Sequence, residues 1–221
     1  MSLYNNEMKL KLEEIVNLKK EEIKEDCTVS KILFNNNDSI IMFKNSKDTE
    51  ISEESYDYLK LYYIIKGESQ FILNKNRLDL KENDVILVNK NSLIGVNTIK
   101  DTIYLEFNLI GDINMNKKIV ENVFNVKDLI DYEEGSIVNL NLSTSKNTSI
   151  SLMAFDKGQG LTPHRAPGEA LLTILEGSCI LGYENKEYIL KAGESFGFKK
   201  NGLHSLKADE RFKMMLILEK E

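Results

Sequence analysis

The chain is a succession of short apolar runs separated by polar turns. "LYYIIKG" (Leu61–Gly67), "DVILVN" (Asp84–Asn89), "IYLEFNLI" (Ile103–Ile110), "ISLMAF" (Ile150–Phe155), "LLTILEG" (Leu171–Gly177) and "FKMMLILE" (Phe212–Glu219) are rich in β-branched and aromatic residues. Such side chains fill a pleated surface well, and runs this short, parted by Asn, Gly, Asp and Lys turns, predict strands. Many short strands at close intervals suit an antiparallel sandwich or barrel, so the expected class is all-β. Two stretches break the pattern. The first thirty residues place Leu12, Ile15, Val16 and Ile23 at helical spacing, although "MKLKL" (Met8–Leu12) alternates like a strand. The expectation there is a helix packed on the first domain. "INMNKKIVENVFNVKDLIDYEEGSIVN" (Ile113–Asn139) is polar and helix-tolerant, and is expected to be a connector.

The apolar pattern repeats. "IIKGESQFILNKNRLDLKENDVILVNKNSLI" begins at Ile64 and "ILEGSCILGYENKEYILKAGESFGFKKNGLH" at Ile174, an offset of 110 that holds without a gap to Val96/Leu206. Identities along it are Ile64/Ile174, Gly67/Gly177, Leu80/Leu190, Lys81/Lys191, Lys90/Lys200, Asn91/Asn201 and Leu93/Leu203. In one ungapped register, with turns aligned to turns, these indicate duplication. The expected organisation is a first domain over 1–112, the connector over 113–139 and a second domain over 140–221.

Composition narrows the partners. With 42% hydrophobic and 29% charged residues, the 221-residue chain has the make-up of a globular protein able to bury a core. Its net charge of -6, with no isolated lysine-arginine cluster, argues against nucleic acid as the main partner. No run approaches the length of a membrane span, and the charged N-terminus has no secretory h-region, so a cytoplasmic protein without a membrane partner is expected. Cys27 and Cys179 are too few for a disulfide framework or a zinc knuckle.

The candidate chemistry concentrates in two places. The only two prolines, Pro163 and Pro167, flank one of the only two histidines in "GLTPHRAPGEA" (Gly160–Ala170). The other histidine, His204, follows a glycine turn in "KKNGLHSL". Gly158 stands before His164 with five residues between them, Gly177 closes the first block, and Gly193 leads to His204 after a gap of fifteen residues from Gly177. This spacing resembles the two motifs of the cupin family. Since the repeat covers both halves, the whole chain resembles a two-domain bicupin. The resemblance implies two tandem jelly-roll (double-stranded β-helix) barrels, to which the residue pattern adds short helical N-terminal and connector segments. It also implies that His164 and His204 face each other across one cavity, where a divalent transition metal (zinc, iron, nickel or manganese) is the family's usual guest.

The departures from that pattern bear on the chemistry. The family's second motif histidine is Ala166 here and its glutamate is Ala170, with Glu169 one residue early. Neighbouring residues on a strand face opposite ways, so Glu169 joins His164 and His204 as a metal ligand only if a bulge at Pro167-Gly168 turns it. Lys199 and Ala208 replace the usual proline and asparagine. In the first copy the offset of 110 brings Glu54, Tyr56, Lys60 and Ile94 to the places of His164, Ala166, Ala170 and His204, so no histidine site exists there. Arg165 is a candidate anion contact, with an exposed loop residue as the alternative. Met153 and Met214 are candidates for an adaptable ligand wall, with core packing as theirs. Cys179 reads as core, and Tyr58, Tyr62 and Tyr63 either rim a cavity in the first copy or pack a sheet.

Three functions fit these residues. One is a bicupin that binds a small molecule in its second barrel, with or without a metal. Another is a metal-dependent dioxygenase, isomerase or decarboxylase. The third is a metal-free sensory or dimerising protein, because the first copy also resembles the effector-sensing cupin domains of AraC-type regulators. A homodimer is the assembly that the resemblance suggests.

Overall fold

The computed structural model of the chain describes residues 12–220, which are mostly strand. Two compact units divide them: residues 19–112 and 117–125 form the first, and residues 12–18, 113–116 and 126–220 the second.

The second unit is a sandwich of two antiparallel sheets. Its larger sheet runs, in spatial order, Ile15–Val16, Ser195–Phe198, Ala170–Glu176, Phe212–Glu219, Thr148–Phe155, Ile137–Thr144 and Asn114–Met115. The smaller sheet runs Gly160–Arg165, Leu203–Lys207, Ser178–Tyr183 and Lys186–Lys191. Period-2 alternation decides which side chains enter the space between them. Along Ser178–Tyr183, Cys179, Leu181 and Tyr183 are buried while their neighbours are half-buried. Phe155, Leu172, Phe196, Phe198, Phe212 and Met214 meet them from the larger sheet. Phe155 and Phe212 stack with ring centroids 4.4 Å apart, and burying each such ring is worth about 1.5–3 kcal/mol.

In the first unit the strands Leu59–Leu73 and Leu93–Leu109 are long and irregular, with bulges at Lys66 and Glu68, and they pair with each other along their lengths. Asp84–Val88 and Asn76–Lys81 pair with the former, while Asp38–Asn45 and Glu50–Ser55 pair with the latter. Phe71, Tyr62 and Tyr104 form its aromatic centre, with neighbouring centroids 5.0 to 6.0 Å apart.

The offset of 110 holds in three dimensions. Asp38–Asn45, Glu50–Ser55 and Asn76–Lys81 recur as Thr148–Phe155, Gly160–Arg165 and Lys186–Lys191. Left-handed backbone recurs too, at Asp48/Gly158, Gly67/Gly177, Asn83/Gly193 and Asn91/Asn201. At Gly67 and Gly177 the reason is tight packing as well as φ: a Cβ there would lie 2.1 Å from the Asp101 carbonyl oxygen and 2.2 Å from that of Arg211.

Two expectations need correction. The described part of the leader forms no α-helix on the first unit. Ile15 and Val16 pair instead with Phe196 and Ser195 of the second unit, and Leu18–Lys20 is a single 3-10 turn. Residues 1–11, which include most of "MKLKL", lie outside the described residues. The stretch 113–139 is not a free connector either. Asn114–Met115 pairs with Ser143–Thr144, Phe124–Asn125 pairs with Asp84–Val85, Ile119 and Val126 are buried, and the strand Ile137–Thr144 begins before the expected boundary at 139.

Candidate functional site

The strands Gly160–Arg165 and Leu203–Lys207 lie side by side, and their register sets His164 directly opposite His204. That register includes a bulge between Leu161 and His164. Pro163 sits inside it, where the ladder skips a pairing and a residue without an N–H costs nothing. The two imidazole centroids are 4.1 Å apart, and Phe198 packs on His204 at 4.6 Å. One cavity of about 190 Å³ is lined by both histidines and by Ala166, Ala170, Phe198 and Leu216. The convergence expected from motif spacing is therefore what the strand register produces.

Hydrogen bonding defines the tautomer of both rings. His164 Nδ1 lies 2.8 Å from the Thr162 carbonyl oxygen, and His204 Nδ1 lies 3.1 Å from that of Gly202. A carbonyl only accepts, so each Nδ1 carries the proton and each Nε2 presents a lone pair. Burial lowers the His204 pKa below the ordinary imidazole value, and the neighbouring His164 adds to this against the opposing bond to Gly202. The site thus offers two acceptors beside Phe198 and Leu216, His204 half-buried and His164 exposed to solvent.

The family motif places its other two ligands at Ala166 and Ala170, and both alanines line this same cavity. Glu169 does not line it. The strand Ala170–Glu176 turns Ala170 inward, as parity requires. The Glu169 backbone carbonyl accepts from the Glu219 N–H at 2.9 Å. Gly168 beside it has no room for a Cβ, which would lie 1.9 Å from the Glu219 carbonyl oxygen. No bulge brings the carboxylate back. Its charge instead acts on Lys199, whose principal partner is Glu13 at 2.7 Å. Among the described residues, no group of three His, Cys, Asp or Glu side chains is placed to hold a metal.

The remaining candidates also lie outside the cavity lining. Arg165 is exposed, and its Nη1 donates to the Asn201 carbonyl at 2.6 Å. Met214 is buried in the core and the partly buried Met153 packs against it. Met214 shares a strand face with Leu216 and Leu218, but these last two line the cavity. Cys179 is core, and burial pushes its thiol pKa up to about 12.

Of the tyrosines expected either to rim a cavity in the first copy or to pack a sheet, Tyr62 lines one and Tyr58 and Tyr63 do not; sequence reasoning missed the charged pair beside it. A cavity of about 70 Å³ in the first unit is lined by Tyr56, Lys60, Tyr62, Ile94, Tyr104 and Glu106. At the offset of 110 these are the positions of Ala166, Ala170, Leu172, His204, Met214 and Leu216. Lys60 Nζ donates to Glu106 Oε1 at 2.9 Å, with side chains only 6% and 9% exposed. The same Nζ stands 3.5 Å from the Tyr56 ring centroid, and the Tyr56 hydroxyl donates to Glu54. Burial, and then the Glu106 charge, raise the Tyr62 and Tyr104 pKa values well above the ordinary phenol value. The signal in the sequence was Glu106 itself, a carboxylate inside the apolar run "IYLEFNLI".

A jelly-roll sandwich with two histidines meeting at the mouth of its barrel defines a cupin. The chain belongs to the cupin family: it is 30% identical to the Cupin 2 conserved barrel domain protein from Leptotrichia buccalis, over 96% of this chain and 99% of that one, with a TM-score of 0.86. The family model described as Cupin domain matches residues 151–218, the span that contains both histidines. More distant structures share the fold. A salicylate 1,2-dioxygenase from Pseudoaminobacter salicylatoxidans is similar at 9% identity, over 83% of this chain and 70% of that one, with a TM-score of 0.63. AerE from Microcystis aeruginosa is similar at 14% identity over 94% and 97%, with a TM-score of 0.54. No curated protein matches the chain.

Proposed function

We propose that the protein is a bicupin whose second barrel binds a small, mainly apolar molecule through the Nε2 lone pairs of His164 and His204. One observation carries this reading. Both Nδ1–H groups are committed to backbone carbonyls, while alanines line the cavity where further ligands would stand. With each Nδ1–H committed, an Nε2 that accepts calls for a guest that donates, such as a phenol, an alcohol or a ring N–H. The apolar walls of Phe198, Leu216 and Leu218 suit a ring or a short aliphatic body. At about 190 Å³ the cavity is below the roughly 300–1,000 Å³ of drug-sized sites, so the guest is a small metabolite.

Zinc, iron, nickel or manganese would find two donors here, against the three histidines and one glutamate of the family's complete set. A resident metal centre does not fit this donor set, because ligand count governs affinity. The dioxygenase, isomerase and decarboxylase readings depend on that centre and are not adopted. We infer further a cytoplasmic homodimer that works without nucleic acid. No helix among the described residues is long and apolar enough to cross a membrane.

The test combines elemental analysis with a thermal-shift screen on tag-free wild type, His164→Ala and His204→Ala, after each metal has been offered. The expected result is sub-stoichiometric metal in all three proteins. Small phenols or alcohols should raise the wild-type Tm but not that of the variants. Near-stoichiometric metal, lost in both variants, would overturn the metal-free site. A screen in which no donor-bearing ring compound stabilises the wild type would overturn the ligand class.

A further inference from the structure

The Lys60–Glu106 pair faces a cavity, and neither member exhausts its bonding there. An ammonium has three N–H donors and a carboxylate about four lone-pair sites. Lys60 gives one hydrogen bond, to Glu106 Oε1, and sets its Nζ over the Tyr56 ring. Buried polar capacity of this kind is normally filled. The exposed Ser52 lines the space beside the pair, and Ile51, Ile94 and Val96 supply apolar wall.

We propose that this cavity is a binding site for a small zwitterion, an α-amino acid no larger than alanine, with its carboxylate on Lys60 and its ammonium on Glu106. Charge balance selects this class. A guest with one charge would leave an uncompensated ion in a low-dielectric cavity, which is costly. A zwitterion adds no net charge and meets each pole with its opposite, converting the ion pair into a four-charge ring of alternating sign. Volume selects the size. At about 70 Å³ the cavity has room for only a handful of heavy atoms, so the apolar wall takes at most a methyl group. This inference is independent of the reading of the second barrel.

The full-length protein is titrated with glycine, alanine, leucine, acetate and methylamine, and Tm is followed. Glycine and alanine at about tenfold excess over Kd raise Tm by roughly 3–6 °C. Acetate, methylamine and leucine do not raise it at the same concentrations. The double variant Lys60→Ala/Glu106→Leu, which copies Ala170 and Leu216 of the second unit, loses the response while still melting cooperatively. His164→Ala/His204→Ala keeps the response, which separates the two sites. No shift with glycine or alanine overturns the proposal. So does an equal shift with acetate or methylamine alone, or a shift that persists in the Lys60/Glu106 double variant.

Discussion

Removing one member of the Lys60–Glu106 pair should damage the first unit far more than removing both. At 2.9 Å and an effective dielectric of about 20, the gross attraction between the two charges is about 6 kcal/mol. Desolvating the pair costs several kcal/mol per ion, so the net contribution of the intact pair is close to zero. Lys60→Ala removes the attraction but leaves the Glu106 carboxylate buried, and Glu106→Leu strands the ammonium in the same way. Each single change is expected to cost about 3–5 kcal/mol. In the double variant neither charge remains, and the expected loss is within about 2 kcal/mol of wild type. Denaturant unfolding followed by circular dichroism measures all four corners of the cycle, with each compact unit allowed its own transition. The coupling should be several kcal/mol and favourable. Two single variants that each cost under about 1 kcal/mol, with additive effects, would refute the view that the pair is buried and mutually dependent.

Acidification should weaken the second unit through His204. Its folded pKa is depressed below 6.5, chiefly by burial, so the unfolded chain binds the proton more readily. The associated stability is present above about 6.5 and falls as pH drops toward the folded value. An NMR titration of His204 should show a midpoint below 6.5, and His204→Gln should flatten the pH dependence of Tm. A normal midpoint would contradict the burial argument. Gly177→Ala should cost at least about 1 kcal/mol, because φ is 74° and the added Cβ would meet the Arg211 carbonyl oxygen at 2.2 Å. An unchanged thermal melt would show that the turn relaxes freely.

The strand pattern, the repeat and the convergence of His164 with His204 were all legible, because each is written in local spacing. Alternation marks the strands, and a constant offset marks the duplication. Given the motif, that spacing puts the two histidines on neighbouring strands. Glu169 was legible as a doubtful ligand for the same reason, since strand parity turns Ala170 into the cavity in its place. Partners chosen across the sequence were not legible. Ile15 and Val16 look alike as helix or strand, and only the open edge of Ser195–Phe198 decides for strand. Lys60 and Glu106 are 46 positions apart, and nothing local says that their strands are neighbours. The methionines left two roles open because Met214, Leu216 and Leu218 share one face, and periodicity does not say where along a face the core ends and the cavity begins; core packing is the one the structure shows.

The two cavities follow from side-chain volume at equivalent positions. Both units share the same strands, the same bulge before position 54 or 164, and the same left-handed turns. In the first, Tyr56, Lys60 and Tyr104 line the cavity and leave about 70 Å³. In the second, Ala166 and Ala170 stand at the places of Tyr56 and Lys60 and leave about 190 Å³. Large side chains bring polar ends that need partners once buried, and the filled unit supplies Glu106 to Lys60 and Glu54 to the Tyr56 hydroxyl. Alanines impose no such demand, and the open unit keeps only two imidazoles whose N–H groups the backbone already satisfies. Polarity in one site and openness in the other are therefore consequences of a single choice of side-chain size. Enlarging the second cavity's alanines, for instance Ala170→Leu, should abolish ligand binding there while leaving the fold intact, because the first unit shows that the same backbone accommodates a long side chain at that position. Loss of cooperative melting in that variant would show instead that the second barrel had lost the freedom to be filled.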